Sequence, residues 1–545
     1  MLGSQLVVRA LARQGVTTVF SLSGNQIMPV YDACIDAGIR IVHVRHEAAA
    51  VFMADAWAQV TGSVGVALLT AGPGLANGVA PLMSALHAES PVLLLSGDAP
   101  LAEDGLGAFQ ELDQTGMTRP VTKASRRARS GAALAGEVDA AIALALAPRR
   151  GPVHLALPFD LLTADSGLAA LPPLPPLPPF PAATDAPAAD LDTLARLLAQ
   201  AQRPLVLAGP SAARAPVRSA WQARGERLAA PLLALESPRG LRDPSLGAAA
   251  ECLAEADLLV LAGKPLDFTL GFGRASVFGA QTRVVVLDPD PALIARAQGL
   301  LGERLALACL CEPGTVLDQA AGRAGLPPAR ADWRRQVAAA QAARHEARPA
   351  PVAPGRIGSR ALCEQVQQFL AQAAEPIVVC DGGEFGQWAQ ALCHAPVRIV
   401  NGVAGAIGGG LSQAIAAKIA RPQATVVVLM GDGTAGFHLM ELDTAVREAA
   451  PVIAVVGNDL RWNAEHQIQL RHYGPQRLLG CQLAATARYG AVAQALGGFG
   501  AAVQEGAQIA PALQRAWASG LPACVDVAID GQAAPVFGTA PGAGH

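Results

Sequence analysis

Short apolar runs alternate along the whole chain with longer, alanine-rich segments of helical spacing. The runs include residues 65–70, 204–209, 258–263, 424–430 and 451–456. Runs that are apolar at nearly every position predict strands buried on both faces, and strands that alternate with helices are typical of parallel sheets covered by helices. The pattern therefore predicts an α/β fold built from doubly wound parallel sheets.

Two proline-rich stretches, residues 171–181 and 347–355, interrupt this pattern and predict extended connectors. A chain of 545 residues is long enough for about three domains of ordinary size. The predicted parts are a first domain over 1–170, a proline-rich linker over 171–190, a middle domain over 191–342, a second linker over 343–358, a last domain over 359–532 and a flexible tail over 533–545.

Composition narrows the class of protein. Hydrophobic residues make up 52% of the chain and charged residues 16%, yet no uninterrupted apolar run reaches the roughly 18 residues of a membrane span. The first ten residues have helical spacing rather than the pattern of a secretory signal, so we predict a cytoplasmic protein. A net charge of −3 offers no footprint for nucleic acid, and the nine cysteines lack metal-ligand spacing.

Glycines and carboxylates follow two of the predicted strands. Gly431, Asp432, Gly433 and Thr434 come directly after the run 424–430. Glycine lets backbone N–H groups approach a phosphate, and a carboxylate in such a turn can bind the cation that neutralises it. Alone, this pattern also fits an ordinary turn.

The run 451–456 ends in Gly457, Asn458 and Asp459. If the two strands pair, Asp432 and Asp459 reach the same cation, and hard oxygen ligands of this kind suit Mg²⁺. The sequence therefore predicts a diphosphate and magnesium site at these strand ends.

Two further blocks complete a resemblance. Glu47 stands at a strand-to-helix junction and is followed by the glycine-rich segment 71–78, and a third block covers residues 402–410. Together with the metal and diphosphate block 431–459, and in this order along the chain, they resemble the thiamine-diphosphate enzymes of the acetolactate synthase, benzaldehyde lyase and 2-hydroxyacyl-CoA lyase superfamily. The resemblance spans nearly the whole chain. Without the other blocks, Glu47 would be interpreted as an ordinary glutamate in the first turn of a helix, where the helix dipole favours negative charge.

The resemblance implies a role for each motif residue. Glu47 matches the glutamate that hydrogen-bonds the pyrimidine ring and promotes loss of the thiazolium proton. Gly405 matches the carbonyl that contacts the ring amine, and Ile407 matches the apolar wedge beneath the bent cofactor, where ordinary core is the alternative. Other implied cofactor-binding positions are Pro73, Asn77, Glu384, Phe385, Gly431, Gly433, Thr434, Asp459 and Ala464.

The implied metal ligands are Asp432, Asp459 and the backbone carbonyl of Arg461. Asp459 stands where most of the family has asparagine, and the change retains an oxygen ligand while adding charge. Gln110 matches an active-site glutamine, and Gln26 stands where benzaldehyde lyase has a histidine. Glu465 falls where decarboxylase-like members carry an acid; a solvated helix glutamate is the alternative.

The resemblance leaves several branches open. We expect a carbon–carbon lyase or carboligase that acts on 2-oxo acids, acetolactate synthase-like, working as a homodimer or homotetramer with shared active sites. The segment 264–273 looks more like the 2-hydroxyacyl-CoA and oxalyl-CoA lyases, which is the alternative activity, and a catalytically silent binding paralogue is the alternative of another class. The segment 238–247 lacks the longer loop of flavin-binding synthases, so FAD is unlikely.

Overall fold

The computed structural model describes residues 1–174, 186–323, 330–344 and 351–537. Within these ranges the strands form three separate sheets, two of six strands and one of five. The strands of each sheet pair in parallel, and helices separate them along the chain. This architecture confirms the predicted α/β class with three doubly wound parallel sheets.

The first-sheet region begins at the N-terminus. Its strands are β1 Thr18–Ser21, β2 Arg40–His43, β3 Gly65–Leu69, β4 Val92–Asp98, β5 Ala124–Arg127 and β6 Val153–Pro158, in the sheet order β2-β1-β3-β4-β6-β5. Its helices are α1 Gly3–Arg13, α2 Met28–Ala37, α3 Glu47–Thr61, α4 Pro73–Asn77, α5 Val79–His87, α6 Gln114–Thr118, α7 Leu134–Leu146 and α8 Phe159–Thr163.

The middle-sheet region follows. Its strands are β7 Pro204–Ala208, β8 Leu232–Ala234, β9 Leu258–Ala262, β10 Arg283–Asp288 and β11 Leu305–Leu310, in the order β11-β10-β9-β7-β8. Its helices are α9 Ala188–Gln200, α10 Ala215–Arg227, α11 Cys252–Glu255, α12 Ala275–Phe278, α13 Pro291–Leu301, α14 Pro313–Arg323 and α15 Ala331–Ala342. Apolar side chains cover both faces of this sheet.

The third-sheet region completes the chain. Its strands are β12 Pro376–Cys380, β13 Val397–Val400, β14 Thr425–Gly431, β15 Val452–Asn458, β16 Phe499–Val503 and β17 Ala523–Ala528, in the order β13-β12-β14-β15-β17-β16. Its helices are α16 Ser359–Leu370, α17 Gly383–Leu392, α18 Gly410–Ala420, α19 Asp432–His438, α20 Glu441–Arg447, α21 Asn463–Tyr473, α22 Tyr489–Ala495 and α23 Ile509–Ala518.

The chain divides into two compact units. One contains Met1–Phe180, Val352–Gly386 and Cys393–Ala533, and the other contains Pro181–Pro351, Gln387–Leu392 and Ala534–His545. In the first unit, α3 packs on α18, and a single apolar core joins the first-sheet and third-sheet regions. Both regions that carry the predicted site residues therefore belong to one unit.

The domain boundaries remain predictions. Helix α9 begins at Ala188, inside the predicted linker 171–190, and α16 begins at Ser359, where the last domain was expected to start. Residues 175–185 of the first linker, 345–350 of the second and 538–545 of the predicted tail lie outside the described residues. Within the described ranges, none of the helices combines the length and apolar character needed to cross a bilayer.

Candidate active site

Two neighbouring strand ends bring the predicted metal ligands together. Strands β14 and β15 pair in parallel with Gly431 opposite Gly457, so the residues that follow each strand leave the same edge of the sheet. Asp432 is the first residue of α19 and is 2% exposed, and Asp459 is 5% exposed. The two predicted carboxylates are thus buried neighbours, as the strand pattern indicated.

The electrostatics of this pair favour a bound cation. Burial raises the pKa of Asp432 from 3.8 to about 6. Burial, followed by the charge of Asp432, raises the pKa of Asp459 to about 7, although Arg461 opposes the shift. Two buried carboxylates that repel each other are costly unless a positive charge lies between them.

One oxygen of the pair marks where such a cation would bind. Oδ1 of Asp432 accepts a hydrogen bond from the Gly433 N–H at 2.9 Å. Oδ2 of Asp432 is buried and accepts no hydrogen bond of ordinary geometry from the described residues, although the nearby backbone N–H groups of Leu460 and Arg461 lower the pKa of this carboxyl group. No cluster of three or more His, Cys, Asp and Glu side chains suited to a metal occurs in the described part of the chain. The oxygen donor set of two carboxylates therefore fits a hard cation that completes its shell with other oxygens.

Asp526, which lies outside the motif, helps to hold the loop that carries Asp459 in place. The Asn458 side-chain amide donates to Asp526 Oδ1 at 3.0 Å, and its oxygen accepts from the Leu460 N–H at 3.3 Å. The other oxygen of Asp526 accepts from the Tyr489 N–H at 3.0 Å. Sequence analysis missed Asp526, because it lies on β17 with no motif around it.

Glycines near the strand ends make room for aromatic side chains. A Cβ at Gly433 would lie 2.7 Å from the Trp462 ring, and a Cβ at Gly457 would lie 2.6 Å from Phe385. The Thr434 hydroxyl donates to the Gly431 carbonyl at 3.0 Å. These contacts fix the turn at the start of α19 and leave no space for a larger residue at either glycine.

Asp381 organises the loop that carries Gly405 and Ile407. Its carboxylate accepts from the backbone N–H groups of Gly382, Gly408 and Gly410 at 2.6, 3.0 and 3.1 Å. Ile407 lies so close to Gly382 that a Cβ there would be 2.5 Å from its methyl group, and Gly405 is exposed with a φ of 70°. One buried carboxylate therefore joins the turn before α17 to the loop that carries Ile407, the predicted wedge.

The other residues predicted in this region differ in exposure. Glu384 is buried in the first turn of α17, where Phe385 follows it. Ala464 is half-buried and Glu465 is exposed, both in the first turn of α21. The Arg461 guanidinium donates to the Asp459 carbonyl at 3.1 Å.

Glu47 begins α3, as the junction predicted, and its side chain is half-buried. Its Oε2 accepts from the Asn77 amide at 2.9 Å, and Asn77 ends the short helix that Pro73 begins. His46 caps α3, because its Nδ1 accepts from the Ala48 N–H at 3.1 Å. The cap and the Asn77 contact fix the direction in which the Glu47 carboxylate leaves the helix.

A second buried carboxylate supports the turn before Glu47. Oε1 of Glu441, on α20, accepts from the N–H groups of Arg45 and His46 at 3.0 and 3.1 Å. Its Oε2 accepts from the Thr444 hydroxyl at 2.6 Å. Burial raises the pKa of Glu441, while these hydrogen bonds lower it. Sequence analysis missed this contact, which ties the third-sheet region to the Glu47 turn.

The two predicted glutamines contact each other. The Gln26 amide nitrogen donates to Gln110 Oε1 at 2.9 Å. Gln26 is 4% exposed, and Gln110 is half-buried. The structure thus places Glu47, Asn77, Gln26 and Gln110 in the first-sheet region and the predicted metal ligands in the third-sheet region.

Comparison with known proteins identifies the class. Three family models match this chain: the N-terminal thiamine pyrophosphate binding domain over residues 1–117, the central domain over 191–318 and the C-terminal thiamine pyrophosphate binding domain over 381–527. The chain belongs to the thiamine pyrophosphate (thiamine diphosphate) enzyme family, which confirms the resemblance.

Individual relatives span almost the whole chain. A probable acetolactate synthase from Mycobacterium bovis is 35% identical over 97% of this chain and 96% of its own length. A 2-hydroxyacyl-CoA lyase 2 from Homo sapiens is 32% identical over 91% of this chain and 84% of its own length. The corresponding lyase from Bos taurus is 33% identical, with the same coverage. The chain is therefore similar to members of both branches that the sequence left open.

Proposed function

We propose that the protein is a thiamine-diphosphate- and Mg²⁺-dependent carbon–carbon lyase and carboligase. It decarboxylates a 2-oxo acid and transfers the acyl group to an aldehyde or ketone. The observation that carries the proposal is the buried Asp432–Asp459 pair with its unpartnered oxygen, next to glycines at two strand ends. Similarity to a probable acetolactate synthase over 97% of the chain supports the substrate class.

The chain's own oxygens would hold the cofactor's metal ion. The carboxylates of Asp432 and Asp459 and the backbone carbonyl of Arg461 would supply hard oxygen ligands to Mg²⁺, which would neutralise the charge of the diphosphate. The N–H groups of Gly433 and Thr434 at the start of α19 can donate to the same diphosphate. When bound, thiamine diphosphate supplies the acyl carbanion equivalent for breaking and forming carbon–carbon bonds.

Proton transfer at the other end of the site belongs to Glu47. Its carboxyl group, steadied by Asn77, can hold a proton against a pyrimidine nitrogen. Glu465 is a second candidate acid, and its exposed position at the start of α21 leaves it accessible to a substrate. The Gln26 and Gln110 amides do not titrate as acids or bases at neutral pH, so their proposed role is to bind and orient the substrate through hydrogen bonds.

We further propose a homodimer, or a homotetramer built from two such dimers, in the cytoplasm. Each site would combine Glu47 of one chain with Asp432 of the other. Two large apolar side chains support an interface between chains: Phe437 on α19 is 53% exposed, and Leu479 after α21 is 83% exposed. Mixing Glu47→Gln chains with Asp432→Ala chains should restore one intact site of two in exchanged dimers. Inactivity after verified exchange would instead place each site within one chain.

The runner-up is a 2-hydroxyacyl-CoA lyase, because relatives of that name match over 91% of the chain. The two activities separate in one assay. Holoenzyme with Mg²⁺ is given a panel of 2-oxo acids with an aldehyde acceptor, and in parallel a 2-hydroxyacyl-CoA. Release of CO₂ with a carbon–carbon coupled product supports the proposal. Cleavage of the carbon–carbon bond between C1 and C2 of the 2-hydroxyacyl-CoA, with release of an aldehyde and an intact one-carbon acyl-CoA thioester, and without any 2-oxo acid turnover, would place the chain in the lyase branch.

A further inference from the structure

Thr70 extends the glutamine pair into a line of three side chains. The Thr70 hydroxyl donates to Gln26 Oε1 at 2.7 Å, and the Gln26 nitrogen donates to Gln110 Oε1 at 2.9 Å. Both donor–acceptor distances lie in the usual range for hydrogen bonds. The three residues come from the end of β3, the turn before α2 and the loop before α6. They form a relay with one direction, from Thr70 to Gln110.

Glycine backbone packs against every member of the relay. A Cβ built on Gly24 would lie 2.3 Å from the Thr70 side chain. A Cβ on Gly97 would lie 2.6 Å from Gln26, and a Cβ on Gly72 would lie 3.0 Å from Gln110. Such close packing fixes the positions at which the Gln26 and Gln110 side chains leave the backbone and confines the Thr70 side chain itself.

Backbone strain occurs where the relay ends. Gln110 has a φ of 61°, a left-handed conformation that non-glycine residues seldom adopt, and Gly72 beside it has a φ of 58°. The Gly72 N–H donates to the buried Gln114 side chain at 3.2 Å, and Gln114 in turn donates to the Gly97 carbonyl at 3.0 Å. Strain that the surroundings hold in place is common at functional sites.

The relay lies beside the Glu47 carboxylate. A Cβ at Gly74 would be 2.6 Å from the Thr70 methyl group and 3.6 Å from Glu47 Oε1. Thr70 and Glu47 therefore both lie close to Gly74. The half-buried Gln110 amide nitrogen has no hydrogen-bond partner in the part of the chain that the structure describes.

We infer that the relay turns the Gln110 amide nitrogen toward the second substrate, where it donates to a carboxylate or carbonyl oxygen of that molecule. The Gln110 oxygen is already occupied by Gln26, and the Gln26 oxygen is occupied by Thr70. The free end of the relay is consequently a donor. Gln110 is then a binding residue, and Thr70 and Gln26 are positioning residues that act through it. This inference rests on the proposed carboligase function.

Matched substitutions at Thr70 test the relay. Thr70→Val keeps the shape but removes the hydroxyl, so Gln26 and Gln110 lose their fixed direction. Thr70→Ser keeps the hydroxyl and serves as the conservative control. Holoenzymes are assayed with pyruvate and with acetaldehyde as acceptors, which differ by one carboxylate, and the thermal midpoint confirms folding.

We expect Thr70→Val to raise the acceptor KM about fivefold, the worth of one hydrogen bond, with a much smaller fall in kcat and with wild-type behaviour in Thr70→Ser. A KM effect for pyruvate alone assigns the contact to the carboxylate, and an equal effect for both acceptors assigns it to the carbonyl oxygen. Wild-type KM values for both acceptors in folded Thr70→Val would overturn the inference.

Gln26→Glu gives an independent arm. A carboxylate at this position accepts from both neighbours, so Gln110 must turn its nitrogen inward and present its oxygen. We expect a larger rise in the acceptor KM than in Gln26→Met, which only cuts the relay. Equal values in the two variants would contradict the assigned direction. If the wild-type protein turns over no 2-oxo acid, the proposed function is wrong. If it does, and the acceptor KM values of the variants match the wild type, only the relay is wrong.

Discussion

Asp459→Asn should stabilise the metal-free protein while it weakens metal binding. The pKa of Asp459 is about 7, against an ordinary value of 3.8, because the carboxyl is buried beside Asp432. A folded-state pKa raised in this way contributes stability that is complete below about pH 4 and is lost as the pH rises through 7. Near pH 8 the ionised pair therefore opposes folding, and asparagine removes that cost.

The size of the effect follows from the shift. A pKa shift from 3.8 to about 7 lowers the free energy of unfolding above pH 7 by about 4 kcal/mol. This value is an upper bound, since water entering the metal-free site screens the two charges. In a unit of this size, a few kcal/mol moves the unfolding midpoint by several degrees.

The assay is thermal unfolding of chelator-treated protein at pH 5 and pH 8, with and without Mg²⁺. The variant should unfold at a higher temperature than the wild type at pH 8, and the difference should shrink at pH 5. Saturating Mg²⁺ should reverse the order, because the wild type gains more binding energy. Asp36→Asn, at an exposed aspartate, is the matched control. A variant less stable than the wild type at pH 8 without metal would show that the ionised Asp432–Asp459 pair does not oppose folding.

Three further outcomes are expected. Glu47→Gln should fold and bind cofactor but lower turnover by orders of magnitude, since an amide cannot supply the acid hydrogen bond; wild-type exchange of the thiazolium C2 proton in this variant would exclude the assignment. Glu441→Ala should slow the same exchange by loosening the turn before Glu47, and Glu441→Gln, which keeps an acceptor oxygen, should largely restore it; equal rates in both would limit Glu441 to packing. Purified protein should carry no stoichiometric flavin, and a flavin absorbance band would contradict this expectation.

Local motifs made part of this site readable from the sequence. Asp432 and Asp459 each follow an apolar run, and parallel pairing of β14 with β15 places the ends of adjacent strands together. Glu47 stands at a visible change from strand to helix pattern. Signals of this kind depend on a few consecutive residues, so one sequence is enough to find them.

Contacts made by folding over long separations could not be predicted. Glu441 and Arg45 are 396 residues apart, Asn458 and Asp526 are 68 apart, and Gln26 and Gln110 are 84 apart. Asn458 and Asp526 meet because β15 and β17 are adjacent strands of one parallel sheet, whereas Glu441 and Arg45 meet because the first-sheet and third-sheet regions share an apolar core. The start of α9 within the predicted linker has a similar cause, since proline content marks a connector but not its last residue.

Calorimetric titration of thiamine diphosphate into chelator-treated protein, with and without Mg²⁺, measures directly whether the cofactor needs the cation and Asp432. Binding should require the cation in the wild type and should be lost in Asp432→Ala. Asp443→Ala, at a carboxylate on the neighbouring helix α20, should bind as the wild type does. Full, cation-dependent affinity in folded Asp432→Ala would contradict the claim that the β14 and β15 strand ends hold the cofactor's metal ion.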